Sequence, residues 1–338
     1  MTDARRTDAV LLLVALVWGS SYLSARSATL LLPVLLVLFV RYALSALACL
    51  ALISAGRGPR RWSRAELRAG VPLGVTQAAV LLVETYGVAH TSAANAGLLI
   101  SLTIVLTPLL DRVGRRGGGP PPAFLAACGL CVVAVGLLMS AGGLHAPRSG
   151  DLLILGAAVI RAGHVVLVGR LTARRPVRPL HLTAVQTLVG SLLFLVPAAR
   201  DLPVLAHTGP GAWAQLVYLA LFCSVFAFLA QTWAVQRTSA GRASLLLGTE
   251  PVWAAAVGIA LGGDRLTPLM AVGAVLMVAG TYWGQAVERA HRTAGAGPSP
   301  ARGAGNGALS HTQPAAANEP FVPSQKAPRS GVQRAARS

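Results

Sequence analysis

The sequence has few charged residues and few aromatic residues for its length. Among 338 residues, charged side chains make up 12% and aromatic side chains 5%, whereas about 25% of the residues in a soluble domain are charged. So few charges cannot cover the surface of a water-soluble enzyme. Disorder throughout is also excluded, because disorder requires low hydrophobicity and apolar residues, with glycine, make up about 65% of the chain.

Cysteine is scarce as well, and motifs of several enzyme classes are missing. The four cysteines, Cys49, Cys128, Cys131 and Cys223, lie in apolar stretches, unlike the disulfide framework of a small secreted protein. The flanks of Cys128-Gly-Leu-Cys131 are apolar, so this pair is predicted to pack inertly. Lys326 is the single lysine, no Walker A motif occurs, and no ligand cluster has metal spacing. Neither a cofactor nor a metal is therefore expected.

Ten apolar runs have the length that a helix needs to cross about 30 Å of hydrocarbon. The first run lacks a small-residue cleavage site and is expected to be a retained helix. The sequence therefore predicts an all-α integral membrane protein with ten transmembrane helices. Their predicted ranges are 10–23, 30–55, 69–89, 93–110, 123–141, 152–168, 180–198, 212–235, 243–261 and 267–286.

The positive charges are unevenly distributed between alternate loops. With the N-terminus inside, 16 arginines fall in the N-terminal segment and the inner loops, and only 4 fall in the outer loops. Arginine and lysine concentrate on the cytoplasmic side of membrane proteins, so this bias predicts a multi-pass protein of the cytoplasmic membrane with both termini in the cytoplasm. The net charge of +18 is then explained by orientation in the lipid bilayer, and no nucleic-acid partner is expected.

Composition divides the chain into four segments. Residues 1–8 form a short cytoplasmic N-terminus, residues 9–141 and 150–286 each hold five predicted helices, and residues 287–338 are rich in Ala, Gly, Pro, Ser and Arg. The last composition cannot bury a core, so a disordered, basic cytoplasmic tail is expected. Attraction to anionic lipid is one role for this tail, and a dispensable tail is the simpler interpretation.

The two five-helix segments contain an internal repeat. Residues 84–99 align without gaps on residues 231–246, 147 positions later, and eight of the sixteen aligned residues are identical. Because five is an odd number, the second segment would cross the membrane in the opposite direction, as in many transporter folds. The sequence therefore predicts two inverted five-helix repeats.

Five ionisable residues lie inside predicted helices, where a charge at the bilayer centre costs about 2.5–3.5 kcal/mol on insertion scales. Glu84 is a possible partner of Arg161, and His164 lies one turn further on the same helix face. Glu84 is expected either to titrate during transport or to neutralise Arg161, and a purely structural ion pair is equally open. For Arg41, near the end of its helix, a structural role is favoured. The fifth residue is Glu250.

Prolines and aromatic residues add further candidates. Pro108 and Pro251 are predicted to kink their helices, because proline removes a backbone hydrogen bond; the kinks serve either packing or a cavity. Trp18 lies within the first predicted helix, and tryptophan near a helix end is usually an interfacial anchor. Tyr86 and Trp233 occupy equivalent positions of the repeat, which makes them candidates to line a shared cavity.

Several short motifs, in their order along residues 8–286, together resemble the drug/metabolite transporter superfamily and specifically its EamA-type members. Where the family usually has a Gly-Glu pair after the proline-containing helix, this chain has Gly263-Asp264. The motifs that carry the resemblance are Trp18-Gly-Ser-Ser, Pro33, Arg41-Tyr42, Thr91-Ser-Ala-Ala-Asn-Ala-Gly97, Pro108-Leu-Leu, Gly150-Asp-Leu, Thr238-Ser-Ala, Glu250-Pro251 and Gly273-Ala-Val-Leu-Met-Val-Ala-Gly280.

The resemblance implies alternating access around a central cavity lined by the first, third, fourth, sixth, eighth and ninth predicted helices. It further implies export of a small metabolite or drug, coupled to protons or to substrate exchange. No enzymatic activity is expected, because the motifs of enzyme classes are missing, and the oligomeric state stays open between a monomer and a homodimer. Two alternatives stay open: a membrane-embedded transferase acting on a lipid-soluble substrate, and a sensor or channel. The residues expected along the substrate and proton pathway are Trp18, Glu84, Tyr86, Asn95, Arg161, His164, Gln231, Trp233 and Glu250.

Overall fold

All regular secondary structure in the described part of the chain is helical, as the sequence predicts. The structure is a computed structural model and describes residues 3–56, 58, 61–112, 121–139, 148–172, 177–235 and 246–295. Six helical segments within these residues are long and apolar enough to cross a membrane. Three shorter apolar helices accompany them, at residues 122–134, 250–260 and 268–284.

Six helices form the first half of the described chain. Pro33 separates the first two, because its ring cannot continue the preceding helix. Ser63 and Glu66 form a capping box at the start of the third, and the Ser92 side chain accepts a hydrogen bond from the backbone of Asn95 at the start of the fourth. The helices are α1 Asp3–Leu31, α2 Val34–Ala55, α3 Arg64–Ala89, α4 Ala93–Ile100, α5 Thr103–Arg112 and α6 Pro122–Met139.

In the described part of the second half, the structure gives six α-helices, a 3₁₀ helix and a π-helix with defined bounds. Prolines stand at the first position of several of these helices, where the missing N–H would have no partner within the helix. The elements are α7 Ser149–Thr172, α8 Pro179–Ala198, the 3₁₀ helix Ala199–His207, α9 Pro210–Val217, the π-helix Tyr218–Phe226, α10 Ala227–Val235, α11 Glu250–Ala260 and α12 Pro268–Gly295.

The predicted helix over residues 93–110 is wrong as a single element, because it breaks between α4 and α5. At the break, the N–H of Leu102 donates to the carbonyl of Leu99 at 3.1 Å, one residue closer than in an α-helix. The hydroxyl of Ser101 donates to the carbonyl of Leu98 at 2.6 Å and so competes for a helical acceptor. Neither a glycine nor a proline marks this break.

The same break recurs ahead of α11, inside the predicted helix 243–261. Here the N–H of Thr249 donates to the carbonyl of Leu246 at 3.2 Å, and the Thr249 hydroxyl donates to the same carbonyl at 2.7 Å. Thr249 and Leu246 follow Leu102 and Leu99 by 147 residues, which is the offset of the sequence repeat.

A nine-residue π-helix lies inside the predicted helix 212–235, where the sequence predicts regular α-helix. Donors from two neighbouring helices reach its carbonyls: the indole N–H of Trp18 donates to Cys223 at 3.1 Å, and the Ser45 hydroxyl donates to Ala220 at 3.1 Å. Groups that insert into the backbone ladder in this way locally widen a helix. These two donors come from other helices, so the sequence around the π-helix does not reveal them. Within the π-helix, the Ser224 hydroxyl donates to the Leu219 carbonyl at 3.1 Å.

Two boundaries of the predicted segments also differ from those in the structure. The first helix begins at Asp3 and not at residue 10, so most of the predicted N-terminal segment 1–8 is helical. The last helix runs to Gly295, so residues 287–295 of the predicted tail are helical as well. The rest of the predicted tail, residues 296–338, lies outside the described residues.

Close helix contacts form where glycines face a neighbour. A methyl group on Gly97 of α4 would overlap the Ala254 side chain of α11, and one on Gly19 of α1 would lie 2.7 Å from the Cβ of Trp253. Such small residues let helix backbones approach closely in membranes. The fully buried Cys131 of α6 packs in the same way against Gly280 of α12, as the inert-packing prediction for Cys128-Gly-Leu-Cys131 requires.

Candidate functional site

A cavity of about 560 Å³ lies inside the helix bundle. Six of the nine predicted pathway residues line it, together with Pro251 at the second position of α11. Helices α2 and α8, which the sequence did not place on the pathway, also contribute, through Arg41 and Gln186 among others. The six predicted residues on the cavity are Trp18, Glu84, Arg161, His164, Gln231 and Glu250.

Arg161 of α7 is the centre of a charged cluster on the cavity wall. One terminal nitrogen of its guanidinium lies 2.5 Å from a carboxylate oxygen of Glu84 in α3, and the other lies 3.8 Å from Glu250 in α11. The Tyr22 hydroxyl of α1 donates to the same Glu250 oxygen at 2.6 Å. The structure therefore brings together three residues separated by up to 166 positions in the sequence, and it adds Tyr22, which the sequence analysis missed.

The cluster carries two carboxylates for one guanidinium. With both carboxylates ionised, its net charge is −1. The Glu84 side chain is 9% exposed and that of Glu250 is 15% exposed, so water screens these charges little. A gain of one proton by either carboxylate would make the cluster neutral.

His164 lies one turn after Arg161 on α7 and is buried. Its Nδ1 is 2.7 Å from the hydroxyl of Thr76 in α3. Thr76 also lies 3.1 Å from the carbonyls of Pro72 and Leu73 in its own helix. This contact fixes the imidazole ring against α3 beside the charged cluster.

Arg41 of α2 lies near the end of its helix, as the sequence suggested. It lies two turns inside α2 and its residue is only 8% exposed. Its Nε donates to the hydroxyl of Ser224 in the π-helix at 3.1 Å, and the residue lines the cavity. Among the described residues, no carboxylate pairs with this guanidinium.

Three predicted pathway residues do not line the cavity. Tyr86 and Trp233 each follow a cavity residue, Glu84 and Gln231, by two positions, which turns a helical side chain about 200° away. Trp233 instead packs beside Leu11. These two aromatic residues are therefore equivalent in the repeat, but they do not form the predicted lining pair.

Asn95 is the third of these residues, and it contributes to the end of the bundle where α4 begins. Its side-chain nitrogen donates to Asp151 at 2.6 Å, and the Thr91 hydroxyl donates to the same carboxylate oxygen at 2.5 Å. Asp151, at the start of α7, thus joins α7 to α4 at this end. The buried Asn95 is held there and cannot reach the cavity.

The two predicted kinks have different surroundings. Pro251 lies directly after the break at Thr249, at the start of α11. α5 runs through Pro108 without interruption, and the break in that part of the chain comes earlier, at Ser101 and Leu102. The helix break near Pro108 is therefore not caused by this proline, and a kink at Pro108 itself stays a prediction.

A second ionic contact closes the end of the bundle where α4 begins. Asp264, which follows α11, accepts a hydrogen bond from Arg26 of α1 at 3.1 Å and one from the backbone N–H of Ala94 in α4 at 2.9 Å. One carboxylate therefore joins three helices at this end. The sequence pointed to Asp264 only as a departure from the family's Gly-Glu pair.

The cavity extends toward the opposite end of the bundle. Its wall there includes Val177 and Pro179 at the start of α8, and Val168 near the end of α7. Beside this end, Glu66 of α3 receives three hydrogen bonds from Arg178, from Nε at 2.7 Å, from Nη2 at 2.9 Å and from the backbone N–H at 3.2 Å. The Glu66 carboxylate raises the pKa of Arg178 and joins α3 to α8 at the rim.

Known proteins with similar sequences are transporters by name. An "Uncharacterized transporter YyaM" of Bacillus subtilis (strain 168) is 26% identical over 210 residues, 60% of this chain and 68% of the relative. An "Uncharacterized transporter" of Archaeoglobus fulgidus is 25% identical over 286 residues, 82% and 96% of the two chains. A "Probable terminal-alkyne amino-acid exporter" of Streptantibioticus cattleyicolor is 29% identical over 199 residues, which are 58% of this chain and 65% of the relative.

A solved crystal structure and a family pattern also match most of the chain. The crystal structure is 20% identical, superposes with a TM-score of 0.57, and covers 85% of this chain and 99% of its own, which shows a shared fold. The pattern of the EamA-like transporter family matches residues 5–142 and again residues 148–283. The resemblance inferred from the short motifs is thereby confirmed. This chain is a multi-pass membrane protein that belongs to the EamA-like transporter family.

Proposed function

We propose that the chain is a secondary active transporter of the cytoplasmic membrane that exports a small metabolite or drug by alternating access. The observation that carries this proposal is the cluster of Glu84, Arg161, Glu250 and Tyr22 on the wall of a 560 Å³ cavity. Charged groups inside membrane-spanning bundles are costly, and they mark substrate and ion pathways. The cavity is also of the size that small-molecule sites have.

The transport mechanism requires the fold to consist of two inverted repeats of five helices, residues 9–141 and 150–286. Three observations support this arrangement. The family pattern matches the chain twice, and the helix breaks at Leu102 and Thr249 are 147 residues apart. The first helix of each half also packs against helices of the other half. In the first half this helix is α1, which packs against α11, and in the second half it is α7, which packs against α4 and α5.

The helix breaks have a direct use in such a transporter. Interrupted helices at corresponding positions of two repeats are typical of substrate sites in secondary transporters. Ser101 and Thr103 beside one break, and Glu250 and Pro251 beside the other, all line the cavity. The two breaks therefore face the same space from opposite halves of the chain.

The described conformation corresponds to a state that is open on one side. The cavity reaches the end where α8 begins, while Asp264 and Asp151 join helices at the other end. With both termini in the cytoplasm, as the arginine distribution predicts, the open end faces the cytoplasm. An exporter loads its substrate in this state.

Proton coupling has a structural basis in the two carboxylates of the cluster. Glu84 makes the short contact to Arg161 and so neutralises it, whereas Glu250 is farther away at 3.8 Å. Glu250 is then the carboxylate that can bind a proton and release it, because Arg161 does not need its charge for neutralisation. This division assigns Glu84 to neutralisation of Arg161, one of the two roles that the sequence left open.

Export as the direction is supported by one relative, which is named an exporter. An embedded transferase requires a nucleophile or a general base on the cavity, and the described wall offers Cys223, His164 and the two cluster carboxylates for such roles. The geometry alone therefore fits either class. The similar proteins and the family are named as transporters, which favours a transporter.

Substrate counterflow in proteoliposomes tests the proposed function. The full chain is reconstituted and loaded in turn with unlabelled amino acids, amines, carboxylic acids, sugars and nucleosides, and entry of the labelled compound is followed. A carrier gives saturable uptake that internal substrate accelerates. A channel gives uptake without that acceleration, and a transferase gives a chemically altered product; either result would overturn the proposal.

A further inference from the structure

We propose that a sodium ion binds beside Asp151, at the end of the bundle where α4 begins. Asp151 lies in the first turn of α7, and its carboxylate contacts Thr91 and Asn95 between α3 and α4. The Asp151 site consists of this carboxylate, the side-chain oxygens of Thr91 and Asn95, and the backbone carbonyl of His90. None of these four residues lines the described cavity, so the site is separate from the transport pathway proposed above.

Asp151 is a buried carboxylate without a cationic partner in the described part of the chain. The residue is 1% exposed. Its Oδ1 accepts hydrogen bonds from the Thr91 hydroxyl at 2.5 Å and from the side-chain nitrogen of Asn95 at 2.6 Å, and both donors are neutral. The N-terminus of α7 contributes about half a positive charge. Burial of a charge that is only partly compensated is costly, so a cation beside Asp151 is favoured.

The other carboxylate at this end, Asp264, is compensated by the protein itself. It lies 3.1 Å from a guanidinium nitrogen of Arg26 and accepts a hydrogen bond from the backbone N–H of Ala94. Its side chain is 7% exposed, so both carboxylates are buried and they differ in their counter-charge. Because the described residues supply a cation to Asp264 and none to Asp151, an ion from solution fits the second position.

The amide of Asn95 provides a second, independent observation. Asn95 is 8% exposed, and its Oδ1 is buried without a hydrogen-bond partner among the described residues. The nitrogen of the same amide donates to Asp151, so the unpartnered oxygen lies close to the carboxylate. A buried polar oxygen without a partner is costly. One cation satisfies the Asn95 oxygen and the Asp151 charge together.

The end of α3 adds a backbone oxygen to the site. His90 is the C-cap of α3, and the last carbonyls of a helix lack helical donors and carry the negative end of its dipole. A Cβ on Gly150, the residue before Asp151, would lie 2.6 Å from the carbonyl oxygens of Gly87 and His90. The Gly87 carbonyl accepts the N–H of His90 at 3.0 Å, which leaves the His90 carbonyl as the backbone ligand.

The ligand atoms select the kind of ion. All of them are oxygens, which suit hard cations, and helix C-termini with unwound carbonyls bind Na⁺ in secondary transporters. With a single carboxylate, a monovalent ion balances the charge, whereas a divalent ion would leave a surplus in a buried place. No metal was expected from the sequence because clusters of metal-binding side chains are missing; one carboxylate among neutral oxygens forms no such motif.

Thermal denaturation of the purified full chain in detergent tests the site. NaCl replaces choline chloride at constant ionic strength, so only the identity of the cation changes. We expect a saturable rise in Tm with Na⁺, as for any ligand that binds the folded state, and no rise with CaCl2 at the same ionic strength. Equal Tm values in Na⁺ and choline at every concentration, or a rise with Ca²⁺ alone, overturn the proposal.

A matched pair of substitutions locates the ion. Asp151→Asn removes the carboxylate of the site and should weaken the apparent Na⁺ affinity roughly tenfold or more. Asp264→Asn removes the other buried carboxylate at this end, whose charge Arg26 already balances, so the response to Na⁺ should stay. An unchanged response in Asp151→Asn, or an equal loss in both variants, means that Na⁺ acts elsewhere and overturns the site.

Asn95→Asp keeps the test decisive if Asp151→Asn does not fold. This substitution adds a second carboxylate beside Asp151 and removes the donor of the 2.6 Å hydrogen bond. Two adjacent carboxylates repel each other and suit a divalent ion. The variant should therefore have a lower Tm than the natural chain in choline chloride and a saturable rise in Tm with CaCl2. A variant that Ca²⁺ does not stabilise contradicts the placement of these two side chains around one ion.

Discussion

The hydroxyl of Tyr22 donates a 2.6 Å hydrogen bond to the carboxylate of Glu250. Tyr22 lies in α1 and Glu250 at the start of α11, 228 residues later. The contact therefore joins the two halves of the chain at the cavity, next to the break at Thr249. A change in the charge of Glu250 would alter a contact between the halves, which is what coupling of a proton to alternating access requires.

Substitution of the two cluster carboxylates should have different effects. Glu250→Gln removes the surplus negative charge and leaves Arg161 paired with Glu84, so we expect loss of proton-driven uptake in everted vesicles with little change in thermal stability. Glu84→Gln leaves Arg161 with the 3.8 Å contact alone, so we expect reduced uptake and a loss of about 1–3 kcal/mol in stability.

A triple variant tests the stability part of this prediction. Glu84→Gln, Arg161→Met and Glu250→Gln together should recover stability relative to Glu84→Gln, because the cluster then holds no buried charge without a partner. Unchanged proton-driven uptake in Glu84→Gln would remove Glu84 from the mechanism. Unchanged uptake in Glu250→Gln would remove Glu250 as the proton carrier.

The contact between α4 and α11 should be sensitive to a single methyl group. Gly97→Ala places a methyl against the Ala254 side chain, and overpacking of this kind costs about 1–3 kcal/mol. Thermal denaturation in detergent measures the loss. The second change Ala254→Gly should restore most of it, because it removes the opposing methyl.

Gly163 of α7 provides a matched control for this prediction. A methyl at Gly163 meets no atom within 4 Å outside its own helix, so Gly163→Ala should leave stability unchanged or raise it slightly through higher helix propensity. Equal effects of Gly97→Ala and Gly163→Ala would contradict the importance of the close approach.

The hydrogen bonds into the π-helix should support its geometry. Ser45→Ala removes a hydroxyl that lies 2.7 Å from the Arg41 carbonyl of its own helix and 3.1 Å from the Ala220 carbonyl of the π-helix. The buried Ala220 acceptor loses that partner, a change worth about 1 kcal/mol in stability. Ser54→Ala is the control, because Ser54 is exposed and donates within its own helix. A thermal shift no larger for Ser45→Ala than for Ser54→Ala would contradict a supporting role.

Much of the fold and of the candidate site could be predicted from the sequence, and the reasons are local. Long apolar runs predicted the helices. Because charged residues are rare inside these runs, Glu84, Arg161, His164 and Glu250 stood out as candidates, and all four line the cavity. The 147-residue offset that linked two sequence segments also links the two helix breaks.

The features that the sequence did not predict depend on tertiary contacts. The break at Ser101 has neither glycine nor proline to mark it, and the π-helix depends on donors from α1 and α2. The side-chain direction of Tyr86 could have been predicted, because two residues along a helix reverse the face and Glu84 was already placed on the cavity. Arg41 required the structure, since only its surroundings show that no carboxylate in the described part of the chain pairs with it.

The last prediction concerns the closed end of the bundle. Asp264 joins Arg26 of α1 to the first turn of α4, so Asp264→Asn should weaken this end and favour opening to the other side. Arg26 is one-third exposed in its side chain, so water screens the pair and a coupling of about 1 kcal/mol is expected, roughly a fivefold shift in population.

Cysteine labelling measures this shift. In a cysteine-free background, Ser21→Cys places a thiol on the cavity wall, and a membrane-impermeant maleimide is added from the side opposite the α8 rim. Asp264→Asn should raise the labelling rate roughly fivefold, while Asp201→Asn on the half-exposed 3₁₀ helix should leave it unchanged. An unchanged rate in Asp264→Asn would mean that other contacts, such as Asp151 with Asn95, keep this end closed, and Asp264 would not act as a gate.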